Sequence, residues 1–424
     1  MSNRSFNILL ILTLFSSALF TIITPMAEEI TIALALESEG LLAIINSIFL
    51  MTGAFCSLFW AFFGDRFSRK ILLIIATLEW SIFSFLTIFA TDFNSLLLFQ
   101  ILTAIGFGAV IPLTFSLTID LFNPNVRGIK FGVISACYIL GNGIGQMLSG
   151  FMSDYPWFSW QIPIIIVSIS GFLCVILLYT IHEPKRGAKD GFSIQSGENG
   201  FNAGYRIKMK DLKLIWKYKT TLLILCFNFV MFVGIGATSS FFISMLKNDH
   251  GLSPTSATTL LLVIYGIQIP SGILIGRLGD HIYQKEKKGR LKVVFICLSI
   301  ASISYIIGYS LAVFSKSLTT FIAFFILILL GAFLLGGIDP LMQATLGEVS
   351  PSQIRTTVYS INYLATVSFG RSISLLILGQ LFIAFNDQYS PGYIFLSIIT
   401  LSSIILLVPI LKHLIGDMER IKRE

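Results

Sequence analysis

Long apolar runs, separated by short polar segments, dominate the chain. Five of them carry no charged residue and exceed the roughly 20 residues that a membrane-spanning helix needs. These five runs are residues 5–27, 41–64, 95–119, 220–246 and 251–276. A transmembrane β-barrel would instead alternate polar and apolar residues in strands of about ten, and the runs do not alternate. The pattern therefore predicts an all-α membrane protein.

The runs predict twelve transmembrane helices in two parallel, pseudo-symmetric bundles of six. The predicted spans are residues 6–27, 41–64, 71–91, 95–122, 130–153, 161–181, 218–246, 255–278, 291–313, 319–347, 356–384 and 392–413. They give an N-terminal bundle over 1–181, a linker over 182–217, a C-terminal bundle over 218–413 and a tail over 414–424. The first run is expected to be a retained span, because it is too long for a signal peptide and lacks a small-residue cleavage site.

Basic residues lie mostly on one side of the predicted spans. Of the 29 Lys and Arg residues, all but Lys247, Lys316 and Arg371 fall in the terminal segments or in the loops after even-numbered spans. Lys and Arg concentrate on the cytoplasmic side of membrane proteins. The distribution predicts a plasma-membrane protein with both termini in the cytoplasm, and it explains the net charge of +7 without a nucleic-acid partner.

Composition excludes several classes of protein. Only 12% of residues are charged and 55% are hydrophobic, whereas a soluble domain has about 25% charged residues. The five cysteines lie in apolar spans, where they are expected to pack as small hydrophobes and not to form disulfides or a metal site. The sequence has no His, Asp and Glu cluster at metal-ligand spacing and no nucleotide-binding glycine loop with its lysine. We therefore expect no enzyme, no cofactor and no ATP-driven transport.

Matching charged motifs follow the second and fourth spans of each half. Residues 63–66 read Phe-Gly-Asp-Arg after span two, and residues 278–281 read Leu-Gly-Asp-His after span eight. An acid and an Arg bracket a Pro at residues 120–127 after span four, and again at 348–355 after span ten. Motifs at equal span numbers indicate two halves related by an axis along the membrane normal.

The segment after span two resembles the loop motif of the major facilitator superfamily, G-x-L-a-D-r-x-G-r-k. Residues 61–70 read AFFGDRFSRK, so both family glycines are replaced, while the second copy keeps Gly276. Gly141, Gly145 and Gly150 in span five are similar to the family's glycine-rich helix. The resemblance covers nearly the whole chain. It implies a monomeric secondary transporter in which two halves rock around a solute site at the midplane.

The resemblance also implies an inner gate. Arg69 would bridge Asp65 and Asp120, hold an outward-open conformation, and separate from them when the protein opens inward. The expected gate residues are Asp65, Arg66, Arg69, Asp120, Arg127, Asp280, Glu348 and Arg355. The alternative is that these charges only set the topology and solvate a loop.

Charged side chains inside the bilayer are costly and are functional candidates by default. Arg371 in span eleven lies about 22 Å from the inner end, at 1.5 Å per residue, so it is placed to attract an anionic group of a solute. Asp339 in span ten is a weaker candidate, either as a partner of Arg371 or at the solute site. Glu79 in span three is expected to have a packing or hydrogen-bonded structural role.

Polar residues on the spans that line the family's cavity complete the candidate solute site, although each could equally bond a neighbouring helix. Besides Arg371 and Asp339, the candidates are Asn46, Gln100, Asn142, Gln146, Asn228, Tyr265 and Gln268. One cation among abundant Phe, Leu and Ile favours an amphipathic or organic-anion solute. A sugar would need dense paired donors and acceptors.

Three segments resemble the Spinster-like branch of lipid and lysolipid transporters. They are residues 119–122 (Ile-Asp-Leu-Phe), 160–163 (Trp-Gln-Ile-Pro) and 183–187 (Glu-Pro-Lys-Arg-Gly). The chain departs from that branch at Ala109, where the branch has glutamate. It also departs at Leu102 from the arginine of many proton-coupled drug exporters. Both departures leave proton coupling unsupported.

The sequence therefore predicts a secondary active transporter for a small amphipathic or organic-anion solute, with a lysolipid-like molecule as one form. Two alternatives remain at this point. One is a multidrug or metabolite exporter of the same superfamily, and the other is a receptor with a transporter fold that binds without turnover.

Overall fold

A computed structural model describes most of the chain. The described residues are 2–64, 66–122, 124–155, 159–184, 218–314, 317–350, 358, 361–386 and 388–423. Across these residues the regular elements are helices. In chain order they are α1 Ser2–Thr21, a 3-10 turn Thr24–Met26, α2 Ala27–Ala33, α3 Gly40–Gly64, α4 Arg69–Leu86, a 3-10 turn Thr87–Phe89, α5 Phe93–Leu121, α6 Pro124–Met152, α7 Gln161–Tyr179, α8 Lys219–Ile235, α9 Phe242–His250, α10 Pro254–Lys285, α11 Gly289–Phe314, α12 Leu318–Gly336, α13 Ile338–Glu348, a π-helix Leu364–Gly370, α14 Arg371–Ala384, α15 Ser390–Ser402 and α16 Ile404–Arg423. Most of the predicted linker, residues 185–217, lies outside the described part of the chain.

Ten helical stretches in the described residues are long and apolar enough to cross a membrane. Each overlaps one of the predicted spans. The predicted fifth span corresponds to α6, and the predicted seventh is broken into α8, which is apolar but shorter, and α9. The all-α, multi-pass membrane architecture is confirmed, and the count of twelve spans in two bundles stays a prediction.

Glycine and proline accompany the interruptions of the long spans. α12 ends at Gly336, and a side chain on the following Gly337 would overlap Ile275 of α10. Pro340 lies in the first turn of α13, where its missing N–H costs no helical hydrogen bond. These residues divide span ten into two helices and bring its backbone close to α10.

The chain divides into two compact units. Unit 1 comprises Met1–Gly200, Ser240–Ser244 and Leu252–Thr258. In it, α1 packs on α6, and α5 packs on both α3 and α4. Side chains on Gly141 and Gly145 of α6 would overlap α1 at Leu14 and Ala18. These glycines therefore let two helix backbones approach closely, as small residues do in lipid.

Unit 2 comprises Phe201–Ser239, Met245–Gly251 and Thr259–Glu424. In it, α11 packs on α12 and α15, while α8 packs on α15, α16 and the π-helix. Its buried core includes Phe227 and Met231 of α8 together with Leu298 of α11. The domain boundaries taken from the sequence stay predictions.

Candidate functional site

The beginning of α4 holds a buried group of charges, here called the N-half network: Ser68, Arg69, Asp120 and Glu183. Arg69 Nη1 lies 2.5 Å from Asp120 Oδ2 near the end of α5, and the two side chains are 4% and 6% exposed. The same nitrogen donates hydrogen bonds to the carbonyl and hydroxyl oxygens of Ser116, at 3.1 and 3.0 Å. Arg69 thus ties the first turn of α4 to the last turns of α5.

Glu183, just after α7, accepts hydrogen bonds from the start of α4. Ser68 Oγ and the Lys70 N–H donate to its Oε2 at 2.5 and 3.3 Å, and the Arg69 N–H donates to Oε1 at 2.9 Å. The carboxylate satisfies donors that a helix N-terminus leaves unpaired, where the helix dipole also favours negative charge. Burial raises the pKa of Glu183, but these donors outweigh burial and hold the pKa below its ordinary value.

A second group of charges, the C-half network, consists of Asp280, Arg290 and Glu348. Arg290 Nη2 lies 2.7 Å from Asp280 Oδ1, and Arg290 Nη1 lies 2.6 Å from Glu348 Oε1. Its guanidinium carbon also lies 4.0 Å from the centre of the Tyr283 ring. In each unit, then, an Arg in the first turn of one helix binds an acid near the end of another. Asp280 is 57% exposed and Glu348 28%, so this network is the more open to water.

The gate predicted from the sequence did not include Arg290 or Glu183. It took Arg355 as the basic residue of the second half, but Arg355 lies outside the described residues and Arg290 forms the observed ion pairs. Arg69 and Arg290 occupy the same place, the first turn of the helix that follows each Gly-Asp motif. Comparing the two halves at that place, and not at the Pro-containing loops, would have identified Arg290.

Of the other predicted gate residues, some lie outside the described part of the chain and one is exposed. Asp65 lies outside the described residues, as does the side chain of Arg127. Arg66 is exposed, and its guanidinium carbon lies 3.8 Å from the centre of the Phe62 ring. A gating role for the whole set stays a prediction.

Arg371 begins α14 directly after the π-helix Leu364–Gly370. Such wide turns are rare and occur frequently at functional sites. The side chain of Arg371 is half-buried. A Cβ on Gly236 would lie 2.7 Å from Arg371 Cα, so the end of α8 passes close to this backbone. Arg371 is ten residues into the helical stretch Ile361–Ala384, about 15 Å along its axis, which places a cation well inside an apolar span.

The other solute-site candidates in unit 2 have varied surroundings. Asp339 is exposed and accepts a hydrogen bond from Gln343 Nε2 at 3.1 Å. Asn228 Nδ2 donates to Asn362 Oδ1 at 2.8 Å, and both residues are buried. This amide pair joins α8 to the helical turn that precedes the π-helix. Tyr265 and Gln268 of α10 are half-buried.

The candidates in unit 1 are mostly buried. Gln100 Nε2 donates a hydrogen bond to Thr87 Oγ1 at 3.3 Å, which joins two helix ends. Asn46 Nδ2 and Asn142 Oδ1 are buried atoms that find no hydrogen-bond partner in the described residues, and such atoms are uncommon in native interiors. Gln146 is buried as well. A solute-binding role for these residues stays a prediction.

Metal binding has no structural support in the described part of the chain. No group of three or more His, Cys, Asp or Glu side chains there is arranged to hold an ion.

Long apolar helices in two units, each with an Arg-centred ion-pair network in the first turn of a helix, define a polytopic membrane protein. The chain matches the Major Facilitator Superfamily over residues 9–288 and 224–417. It belongs to this superfamily of membrane transporters.

Individual relatives show which members of the superfamily the chain is similar to. A hexuronate transporter of Bacillus subtilis (strain 168) is 25% identical over 257 residues, 58% of each chain. The sphingosine-1-phosphate transporter SPNS2 of Danio rerio is 28% identical over 157 residues, 36% of this chain and 30% of that protein. These matches span less than two thirds of the relatives' length.

A solved structure shows the same fold over nearly the whole of both chains. It is a bacterial homologue of the human lysosomal transporter Spinster in an inward-facing, unoccupied conformation, with a TM-score of 0.75 at 20% identity over 100% of this chain and 98% of that one. The predicted resemblance to Spinster-like members of the superfamily is confirmed.

Proposed function

We propose that this chain is a secondary active transporter that moves a small amphipathic or organic-anion solute across the plasma membrane by alternating access. Arg371 carries the proposal. It is a half-buried cation well inside an apolar span, where a permanently charged guanidinium is costly unless an anion compensates it. During transport, an anionic group of the solute would bind to this cation.

The relatives support an anionic solute, and one of them is named for a solute that also has an apolar chain. Hexuronate and sphingosine-1-phosphate, which two relatives are named for transporting, both carry an anionic group. The present chain has 38 Phe residues and 12% charged residues, so it offers apolar contacts more readily than the dense polar pairs that a sugar ring needs. A lysolipid-like phosphate or carboxylate fits this chemistry best.

The test begins with purified protein and a thermal-shift comparison of a hexuronate with sphingosine-1-phosphate, followed by flux into proteoliposomes. We expect the amphipathic phosphate to raise the melting temperature and to be transported. Arg371→Ala should abolish both effects, and Arg371→Lys should retain part of them because it keeps the charge. Lys412→Ala, an exposed cation on α16, serves as the matched control and should behave as wild type.

Two results would contradict the proposal. Solute affinity that is unchanged in Arg371→Ala would remove the solute-binding role of Arg371. Binding without flux in intact proteoliposomes would identify a receptor and not a transporter.

The N-half and C-half networks would act as the inner latch of the transport cycle. Both lie where the Lys and Arg distribution predicts the cytoplasmic face. Asp120→Asn removes the anion paired with Arg69 and should increase the accessibility of a cysteine engineered on the cytoplasmic side of a cysteine-free chain. Asp92→Asn, an exposed residue that caps α5 at its other end, is the control. Unaltered accessibility in Asp120→Asn would refute the latch.

A further inference from the structure

We propose that Glu79 is a proton-binding site at the centre of the bilayer, held as the neutral carboxylic acid. Glu79 lies ten residues from each end of the helical span Arg69–Phe89, about 15 Å from either end. Since the hydrocarbon core is about 30 Å thick, the side chain lies at its midplane. The inference concerns a residue outside the proposed solute site and latch, and it does not depend on them.

Among the described residues, the helices that pack on α4 place no counter-ion near Glu79. α4 packs on α5, α7 and α3. Along these four helices the charged residues are Arg69, Lys70 and Asp120, and the two cations are nine or more residues from Glu79, at least about 13 Å along the axis. Arg69 is already paired with Asp120.

The remaining titratable groups on these helices are two cysteine thiols and a tyrosine phenol. Cys56 of α3 lies close enough to interact with Glu79. α7 contributes Cys174 and Tyr179 and no charged residue. An ionised carboxylate at the centre of the hydrocarbon core, with no cation near it on these helices, is costly, and such groups take up a proton instead.

Contacts with α5 show how the carboxyl group is held. Glu79 Oε2 lies against the bare Cα of Gly106, where any side chain would overlap it. This oxygen is buried and receives no hydrogen bond from the described residues. The indole N–H of Trp60 is already used, since it donates to the Ile105 carbonyl at 2.8 Å. The backbone of Gly106 is nevertheless close enough to hydrogen-bond the carboxyl group, so the structural role expected for Glu79 stays a prediction.

One edge of the site is open to lipid. Ile75, Leu78 and Ile82, which surround Glu79 on the helix, are exposed on the surface of unit 1. Their spacing forms an apolar stripe along α4, and Glu79 is half-buried at its edge. A small apolar reagent dissolved in the bilayer can reach the carboxyl group along this stripe.

Dicyclohexylcarbodiimide tests the protonation state directly. The acid's proton passes to one carbodiimide nitrogen while the carboxyl oxygen bonds the central carbon. The acyl–oxygen bond then breaks as an acyl–nitrogen bond forms, which leaves an N-acylurea with the full mass of the reagent. A carboxylate has no proton to give and does not react in this way.

The protein in lipid is treated with the reagent at about pH 7 and is then digested for mass spectrometry. At this pH an ordinary Glu, with a pKa of about 4.3, is almost entirely ionised. We expect modification at Glu79, decreasing as the pH is raised, and none at Asp120 in the same sample. Glu79→Gln should lose the modified peptide. Unmodified Glu79 would overturn the proposal.

A second measurement does not depend on reagent access. If the folded chain holds the proton and the unfolded chain releases it above about pH 4.3, the stability of the wild type falls relative to Glu79→Gln as the pH rises. We expect the difference in melting temperature between the two proteins to change steadily from about pH 5 to about pH 8. A difference that is constant over this range would mean that Glu79 is ionised in both states and would overturn the proposal.

Discussion

The N-half and C-half networks use the same kinds of charge, but water reaches them to different extents. Arg69 and Asp120 are almost fully buried, whereas Arg290 pairs with the exposed Asp280. Glu183 adds a second acid to the N-half network from the residues after α7. The comparison teaches that the similar motifs determine which charged side chains pair, while burial determines how strong each ion pair is. We infer that the N-half network is the rigid one and that the C-half network separates more readily.

The largest effect should come from Arg69→Ala. This change leaves two acids at the end of the helices without their cation, and breaking a buried ion pair costs about 3–5 kcal/mol. Denaturation in mixed micelles should show a loss of that size in the free energy of unfolding. A loss below that of Arg290→Ala would reverse the comparison.

Arg290→Ala should lower the free energy of unfolding by less, about 1–2 kcal/mol. Ion pairs that water reaches on one side contribute about 1 kcal/mol, and the contact between Arg290 and the Tyr283 ring adds a comparable amount. The same denaturation experiment measures it, with Lys292→Ala as the control because its pair with Glu286 is more exposed. An effect equal to that of Arg69→Ala would mean that burial does not distinguish the networks.

Glu183→Gln should cost about 1 kcal/mol at neutral pH, the usual scale for an anion at a helix N-terminus. Because the pKa of Glu183 is lowered in the folded protein, its contribution is complete above the unfolded value of about 4.3 and is lost as the pH falls through the folded value. The stability difference between wild type and Glu183→Gln should therefore shrink below about pH 4.3. A difference independent of pH would assign the effect to packing.

The smallest effect should come from Asp280→Asn, at about 0.5 kcal/mol or less, because the carboxylate is mostly exposed. The Debye length falls from about 10 Å at 0.1 M salt to about 3 Å at 1 M. A double-mutant cycle between Asp280 and Arg290 should lose its coupling energy at high salt, while the cycle between Arg69 and Asp120 keeps most of its own. Equal salt dependence would remove the proposed difference.

Parts of the candidate site were predictable from the sequence to different degrees. The run lengths and motif spacing placed Asp120, Asp280 and Glu348 in the last turns of their helices, where the structure has them, because both signals are local. The partner Arg290 was missed, since sequence distance does not reveal which basic side chain reaches an acid 58 residues away. The hydrogen bond between Asn228 and Asn362 could not be predicted from the sequence for the same reason.

By itself, the sequence determined that the protein lies in a lipid bilayer, that it is all-α, and to which superfamily it belongs. Run length and charge placement suffice for these, because lipid requires each span to satisfy its own backbone hydrogen bonds. Only the tertiary structure decided how each charge is compensated. It placed Glu183 on the first turn of α4, Arg290 between two acids, and Glu79 against Gly106 without a cation, because compensation depends on atoms a few Å apart that the chain brings together from distant positions.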